Sequence, residues 1–335
     1  MLPIRCDGPC AGTHDDLTAY LGALPGSTEV LVVDGSGPAT FQHHRRILPA
    51  TVRHLRPDPG IGGRNGKVAG VLTGVRNAVN DGVVIADDDV RWSASGLRRV
   101  EALLAGAEVV RPQNYFDPAP WHALWDTART LINRSLGGDF PGTLAVRRSF
   151  LLERGGYDGD VLFENLELIR TVRGAGGREA IPLDLYVARR PPSVHRFLSQ
   201  RVRQAYDDLA IPGRLAAGLL VIPLMAWAVH RRQPSVPGAL TLSLVALAEA
   251  GRRRAGGAEV FPAAASWLAP LWVVERGVCA WLAVASRALL GGCRYRGVLI
   301  SRAASSEAAL RRSARRTASR AAVQPTPPDE GLPAR

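Results

Sequence analysis

Three consecutive aspartates, Asp87-Asp88-Asp89, follow directly on the apolar run at residues 83–86 (VVIA). Carboxylates next to an apolar strand are costly unless something positive lies beside them. In an extended segment Asp87 and Asp89 point to one side and Asp88 to the other. Two hard oxygen ligands on one side suit Mg2+ or Mn2+ bridging a diphosphate. A solvated acidic turn is the plain alternative. Asp34 ends an earlier run, residues 29–34 (EVLVVD), in the same manner.

Lys67 is the one lysine among 42 Lys and Arg side chains. It closes the stretch Gly62-Gly63-Arg64-Asn65-Gly66-Lys67, a glycine-rich approach to a helix. A compact ammonium meets a phosphate or carboxylate where a planar guanidinium does not fit. Chance is the alternative, since one lysine must stand somewhere. Glu164 and Glu167 are three apart in the first turn of a helix opening at Phe163, where the dipole favours an anion. Glu164 follows Leu162-Phe163, so it is a candidate for a partly desolvated base. Ordinary helix-terminal charge is its alternative.

These groups need a sheet behind them. Residues 29–34 and 83–86 read as buried strands. Residues 68–80 read as a helix, with Val68, Val71, Leu72, Val75 and Val79 at helical spacing. Strand, helix, strand with acids at the strand ends is an α/β pattern, and such sheets bind ligands off the carboxyl ends of their strands. Residues 140–148 read as a turn and a short strand. The helix from Phe163 is stopped by glycines at 174–177. Trp121, Trp125 and Arg129 recur at i, i+4, i+8, a stripe that either packs in the core or lines a groove.

The formal charge of +12 is unevenly placed. Residues 1–213 carry about 25 basic and 24 acidic side chains, and the remainder about 17 and 6. The first part is balanced, which excludes a nucleic-acid-binding surface there. The second alternates apolar runs (215–229, 238–248, 260–274, 277–292) with arginine clusters such as Arg252-Arg253-Arg254. Each run is shorter than the roughly 20 residues that cross a bilayer unaided. Trp227, Trp267, Trp272 and Trp281 suit interfacial anchoring, so membrane association is expected, with buried helices of an α-domain as the alternative. Glu275-Arg276 would break the last apolar region into two helices. Residues 301–335, with Arg311, Arg312, Arg315, Arg316 and Arg320 and then Pro325, Pro327 and Pro328, read as a solvated basic tail. Cys6, Cys10, Cys279 and Cys293 form no CxxC or zinc spacing. Residues 1–10 hold no apolar stretch of signal-peptide length.

In order along roughly residues 15–208, these motifs resemble family 2 glycosyltransferases, inverting enzymes with a GT-A nucleotide-sugar-binding fold. Asp34 in VLVVDGS is similar to the acid that contacts the nucleoside. Lys67 in NGKVAGVLTG is similar to the Gly-Lys entry to the helix before the metal strand, and Asp87-Asp88-Asp89 to the DxD metal motif. Gly142, Thr143 and the following residues to Arg148, with Gly155-Gly156-Tyr157-Asp158, resemble the acceptor-side segment. Glu164-Asn165 falls where the family has Glu-Asp, and Gln200-Arg201-Val202-Arg203-Gln204 resembles the Gln-x-x-Arg-Trp motif of membrane-embedded members. The family's base is usually the Asp of Glu-Asp. Here it is Asn165, whose amide takes no proton, so Glu164 or Glu167 takes that role or the chain is an altered catalyst. The last motif has Gln204 for Trp, and only residues 2–5 could stand for the usual first strand.

The resemblance implies a GT-A domain over 1–210, membrane-associated helices over 211–292 and a basic tail over 293–335. It implies Mg2+ or Mn2+ on Asp87 and Asp89, and a nucleoside-diphosphate sugar held by Asp34, Lys67, Asp87, Arg201 and Arg203. The acceptor side would be Gly142, Thr143, Gln200 and Trp121. The acceptor would be a lipid or lipid-linked hydroxyl at the cytoplasmic face of the cell membrane, with no nucleic-acid partner. A catalytically impaired membrane scaffold and a nucleotidyltransferase are the competing readings. The second would need a phosphate-cradling loop after the first strand, and Gly35-Ser36-Gly37-Pro38 is a poor one.

Overall fold

The structure, a computed structural model, describes residues 1–6 and 14–323. The chain opens with β1 (Leu2–Ile4), α1 (His14–Gly22), β2 (Val30–Asp34), α2 (Pro38–Ile47) and β3 (Val52–Leu55). Then come α3 (Gly66–Asn77), β4 (Gly82–Ala86), β5 (Val90–Arg91), α4 (Ala94–Leu104), β6 (Val109–Val110) and β7 (Gln113–Phe116). They are followed by α5 (Trp121–Leu136), β8 (Thr143–Arg147), α6 (Arg148–Leu152), α7 (Glu164–Gly174), β9 (Glu179–Ala180) and β10 (Tyr186–Arg189). Two short helices, α8 (Val194–Ser199) and α9 (Arg201–Tyr206), lead into a 3-10 turn at Asp207–Ala210.

The α/β expectation holds. Parallel strands in the order β1-β2-β3 form one sheet, and β4-β8-β6-β9 form a mixed one. The Ala86 N–H donates to the Met1 carbonyl at 3.1 Å and joins the two. A third sheet, β5-β10-β7, lies beside them and brings the ends of β10 and β4 together. Proline has no N–H to donate, and Met1 carries the bonds from β1 to β4, its ammonium donating to the Val84 carbonyl at 2.6 Å. Val68, Val71, Leu72 and Val75 of α3 are almost fully buried with Leu31, Val33, Ile85, Leu144 and Val146, so they form the core-facing stripe, whereas Val79, read as its last member, lies beyond the end of the helix and is exposed.

After the 3-10 turn come α10 (Pro212–His230), α11 (Ser235–Arg253), α12 (Ala264–Trp267) and α13 (Ala269–Leu290), then the hairpin β11 (Cys293–Tyr295) and β12 (Val298–Ile300), and α14 (Glu307–Val323). Of these, α10 is long and apolar enough to cross a membrane, with mean hydropathy 1.5. Arg134 of α5 joins this part to the first. Fully buried, it donates to the Leu183, Gly251 and Arg254 carbonyls at 2.9, 3.2 and 2.7 Å. Five N–H donors on one rigid fork make arginine suited to such a crossing.

Two expectations differ from the structure. Helix α13 runs through Glu275-Arg276 without a break. Glu275 accepts the Trp125 indole N–H at 2.8 Å and lies 3.6 Å from Arg201, and Arg276 lies 3.7 Å from Asp208. Partners on other helices remove the desolvation cost that would have forced a break. The helical division falls earlier, at Leu268. Within the expected tail, residues 293–300 form the hairpin and 307–323 are helical. Helix α14 is docked on α7, where Glu307 lies 3.1 Å from Arg173. Arg311, Arg312, Arg315 and Arg316 are exposed on it. Cys10, the side chain of Arg320, and Pro325, Pro327 and Pro328 lie outside the described residues.

Candidate active site

A cleft of about 420 Å³ opens off the carboxyl ends of β4 and β10. Its floor is the turn after β4. The segment is not extended: the Val90 N–H donates back to the Asp87 carbonyl at 3.1 Å. The turn nevertheless puts Asp87 and Asp89 on one side, because Arg189 reaches both. Its Nε lies 2.8 Å from Asp89 Oδ2 and its Nη2 3.6 Å from Asp87 Oδ2. Asp89 Oδ1 is buried with no hydrogen-bond partner. Burial raises the Asp89 carboxyl, Arg189 opposes, and the Asp87 and Asp88 charges add to the rise.

Lys67 closes the other flank. Its Nζ lies 2.6 Å from Asp87 Oδ1 and 2.6 Å from Glu164 Oε1. Burial works to lower its pKa, but the two carboxylates outweigh it and hold the ammonium well above the ordinary lysine value. Asn65 sets the geometry, as its buried side chain caps α3 by accepting the Lys67 N–H at 3.1 Å and donates to Val161 O at 3.0 Å. Gly63 has φ +126, and a Cβ there would stand 2.9 Å from Gly159 Cα. The close approach of these two loops lets Lys67 meet Glu164 across the cleft.

Gly142 is equally constrained. The Asp87 N–H donates to its carbonyl at 3.0 Å, and its own N–H donates to Asn114 Oδ1 at 2.8 Å. A Cβ there would lie 2.7 Å from Asp87 Oδ2.

The structure brings Lys67, Asp87, Asp89, Gly142, Glu164, Gln200, Arg201 and Arg203 to the cleft. It leaves four expected residues elsewhere. Asp34 is wholly buried, with its Oδ2 2.6 Å from His44 Nδ1 and 3.1 Å from His54 Nε2, and its Oδ1 accepting the Ser36 N–H at 2.8 Å. Burial opposes, yet these bonds hold its carboxyl below the ordinary value. The carboxylate is satisfied inside the protein, and Val33 and Gly35 line the cleft in its place. Glu167 is fully buried and accepts the Ser305 N–H at 2.6 Å, so it supports the α14 approach. Thr143 is buried between the Trp92 indole N–H and the Ile85 carbonyl. Trp121 is exposed and packs edge-on against Phe197, outside the cleft lining. Its stripe splits: Trp125 bonds Glu275 and Arg129 lines the cleft.

Arg201 reaches the cleft but is committed to carboxylates, lying 3.2 Å from Asp126 Oδ1 and 3.6 Å from Glu275 Oε2. Among the described residues Arg203 carries no such pairing, and it lies 5.4 Å over the Tyr295 ring. Sequence reasoning missed Arg189, Asp126 and Asp207. Arg189 is the last residue of a strand, much as the aspartates stand at the end of β4, which is a signal of the same kind. Asp126 and Asp207 had no distinguishing neighbours.

No family model matches the sequence, and no curated protein matches it. Solved glycosyltransferases are among its structural neighbours. A mannosyltransferase from Pyrobaculum calidifontis, solved with GDP-Man and Mn2+, shares 18% identity with a TM-score of 0.46, over 96% of this chain and 78% of that one. Glucosyl-3-phosphoglycerate synthase from Mycobacterium tuberculosis, solved with Mn2+, UDP and glucosyl-3-phosphoglycerate, shares 17% with a TM-score of 0.39, over 58% of this chain and 73% of that one.

Proposed function

We propose that this chain is a metal-dependent glycosyltransferase of the family 2 type, moving a sugar from a nucleoside-diphosphate sugar to an acceptor hydroxyl. One observation carries the reading: Lys67, Asp87, Asp89 and Arg189 alternate in charge around the carboxyl end of β4. The residues fit a divalent cation. Asp89 keeps a buried oxygen without a partner, and a cationic side chain already spans the two carboxylates. Mg2+ or Mn2+ held there by Asp87 and Asp89 would neutralise the leaving diphosphate.

The chain's own residues do the rest. Lys67 and Arg203 supply positive charge to a bound diphosphate. Glu164 anchors Lys67 from the far wall, so the ammonium is fixed before the donor arrives. Gly142 leaves the Asp87 carboxylate room beside the acceptor side of the cleft. Gln200 lines the same cleft as a neutral hydrogen-bonding group for a sugar hydroxyl.

The acceptor we propose is lipid-linked, at the cytoplasmic face of the cell membrane. Among the described residues, most exposed large apolar side chains lie from α10 onward, among them Leu220, Trp227 and Val229 of α10 and Leu271, Trp281 and Leu289 of α13. Apolar exposure on two helices that pack together, α10 and α13, suits an interaction surface. Arg214 of α10 and Arg276 of α13 also line the cleft, so it opens beside that surface.

A thermal-shift screen of UDP-, GDP- and TDP-sugars with and without Mn2+ tests the donor. A donor at 100 times its Kd stabilises by about 2.7 kcal/mol, and that shift should require Mn2+. No shift with any donor favours the impaired-scaffold reading, which rests on Gln204 and on Asn165, whose amide donates to the Pro141 carbonyl at 3.0 Å. Equal turnover of a water-soluble acceptor by detergent-free enzyme counts against the lipid-linked one.

A further inference from the structure

Inverting transfer needs a group to take the acceptor's proton, and the obvious positions are committed. Asn165 is an amide. Glu167 is fully buried, spends one oxygen on the Ser305 N–H and lies outside the cleft lining. Glu164 is held by the Lys67 ammonium at 2.6 Å. The turn that follows α9 offers two adjacent carboxylates with opposite surroundings. Asp208 is 4% exposed and ion-paired, its Oδ1 3.2 Å from Arg214 and its Oδ2 3.7 Å from Arg276. Asp207 lines the cleft, and its Oδ1 is buried without a hydrogen-bond partner. Among the described residues no arginine or lysine makes an ion pair with it.

We propose that Asp207 is the general base for the acceptor hydroxyl, an inference that rests on the glycosyl-transfer reading above. Its carboxylate removes the hydroxyl proton as that oxygen attacks the anomeric carbon. The bond from that carbon to the diphosphate oxygen breaks, and its electron pair leaves with the nucleoside diphosphate. The proton stays on Asp207 until it passes to solvent. Neighbouring groups tune the carboxyl. Burial pushes it up to about 7. Arg203 of α9 works against the rise, Glu164 of α7 and the adjacent Asp208 add to it, and Arg276 of α13 opposes. The Cys293 thiol of β11 also faces it and is itself raised by burial. A base with that affinity holds its proton transiently near neutral pH, the condition for efficient general-base catalysis.

The test measures nucleoside-diphosphate release from the donor found by the screen, with Mn2+, using water as the acceptor and then a membrane lipid extract. The wild-type rate should rise with pH through a limb near 7 and then level off. Asp207→Asn should lose about 10²–10⁴-fold in turnover, keep its donor Kd and lose the limb. Asp207→Glu should recover part of the rate with the limb present, and Glu164→Gln should keep the limb whatever its rate. Turnover in Asp207→Asn within a few-fold of wild type, a surviving limb, or loss of donor binding in step with turnover would each remove Asp207 from the base role. If Asp207→Asn does not fold, a missing limb in Asp207→Glu does the same. A wild-type enzyme that releases no nucleoside diphosphate from any donor overturns the transfer reading itself, and the base with it.

Discussion

The Arg189 guanidinium donates to Asp89 Oδ2 at 2.8 Å from the end of a strand that the sequence places 100 residues away. It lies where two carboxylates converge and leaves the second Asp89 oxygen bare. An arginine in this position and a divalent cation compete for the same oxygens. Asp89→Asn should therefore abolish Mn2+-dependent donor binding. Arg189→Met should tighten Mn2+ binding, by tenfold for each ~1.4 kcal/mol of competition removed, while lowering apo stability. Calorimetric Mn2+ titration reads both, and unchanged Mn2+ affinity in the Met variant would show that Arg189 does not contest the site.

Lys67 bridges two carboxylates at 2.6 Å each. A planar guanidinium cannot occupy the point between them, so Lys67→Arg is not a conservative change. Lys67→Met leaves Glu164 without its cation and Asp87 with Arg189 alone, and breaking a buried pair costs about 3–5 kcal/mol. The side chain is 17% exposed, so the low end applies. Urea midpoints of both variants test this. An Arg variant as stable as wild type, with donor affinity intact, would count against the fit.

Gly142→Ala places a methyl 2.7 Å from Asp87 Oδ2 and 3.1 Å from Arg189 Cζ. One of those charged groups must move. The expected result is Mn2+ affinity weakened by roughly tenfold or more, about 1.4 kcal/mol, with the circular-dichroism spectrum unchanged. A neutral result would mean that the carboxylate has slack that the static geometry conceals.

Asp126 sits between Arg129 and Arg201, 3.5 and 3.2 Å away. Burial works to raise its carboxyl, but the two arginines prevail and hold it at about 2. An unfolded aspartate titrates near ~3.9. The depressed folded value means that its contribution is complete above the unfolded value and is lost as pH falls through the folded one. The shift corresponds to about 2–3 kcal/mol. Asp126→Asn should be less stable than wild type by about that amount at pH 7, and the gap should narrow between pH 4 and 2. A gap that stays constant over that range would assign the loss to packing and not to charge.

The sequence by itself determined much of this protein. Apolar runs ending in acids specify β2 and β4, and valines at helical spacing specify α3, because burial patterns are local and periodic. A single lysine in an arginine-rich chain marked Lys67, and Asp87 and Asp89 were legible as a pair. What only the tertiary structure decided is which charges are free. Asp34 looks like Asp87 in sequence, but two histidines from α2 and β3 enclose it. Glu167 looks like Glu164, yet α7 turns one toward Ser305 and the other toward Lys67. Asp207 and Asp208 are neighbours in the chain, and only the packing of α10 and α13 pairs one and leaves the other unpaired. Backbone form follows from local preference and apolar period, whereas the state of a carboxylate depends on partners that can stand a hundred or more residues away.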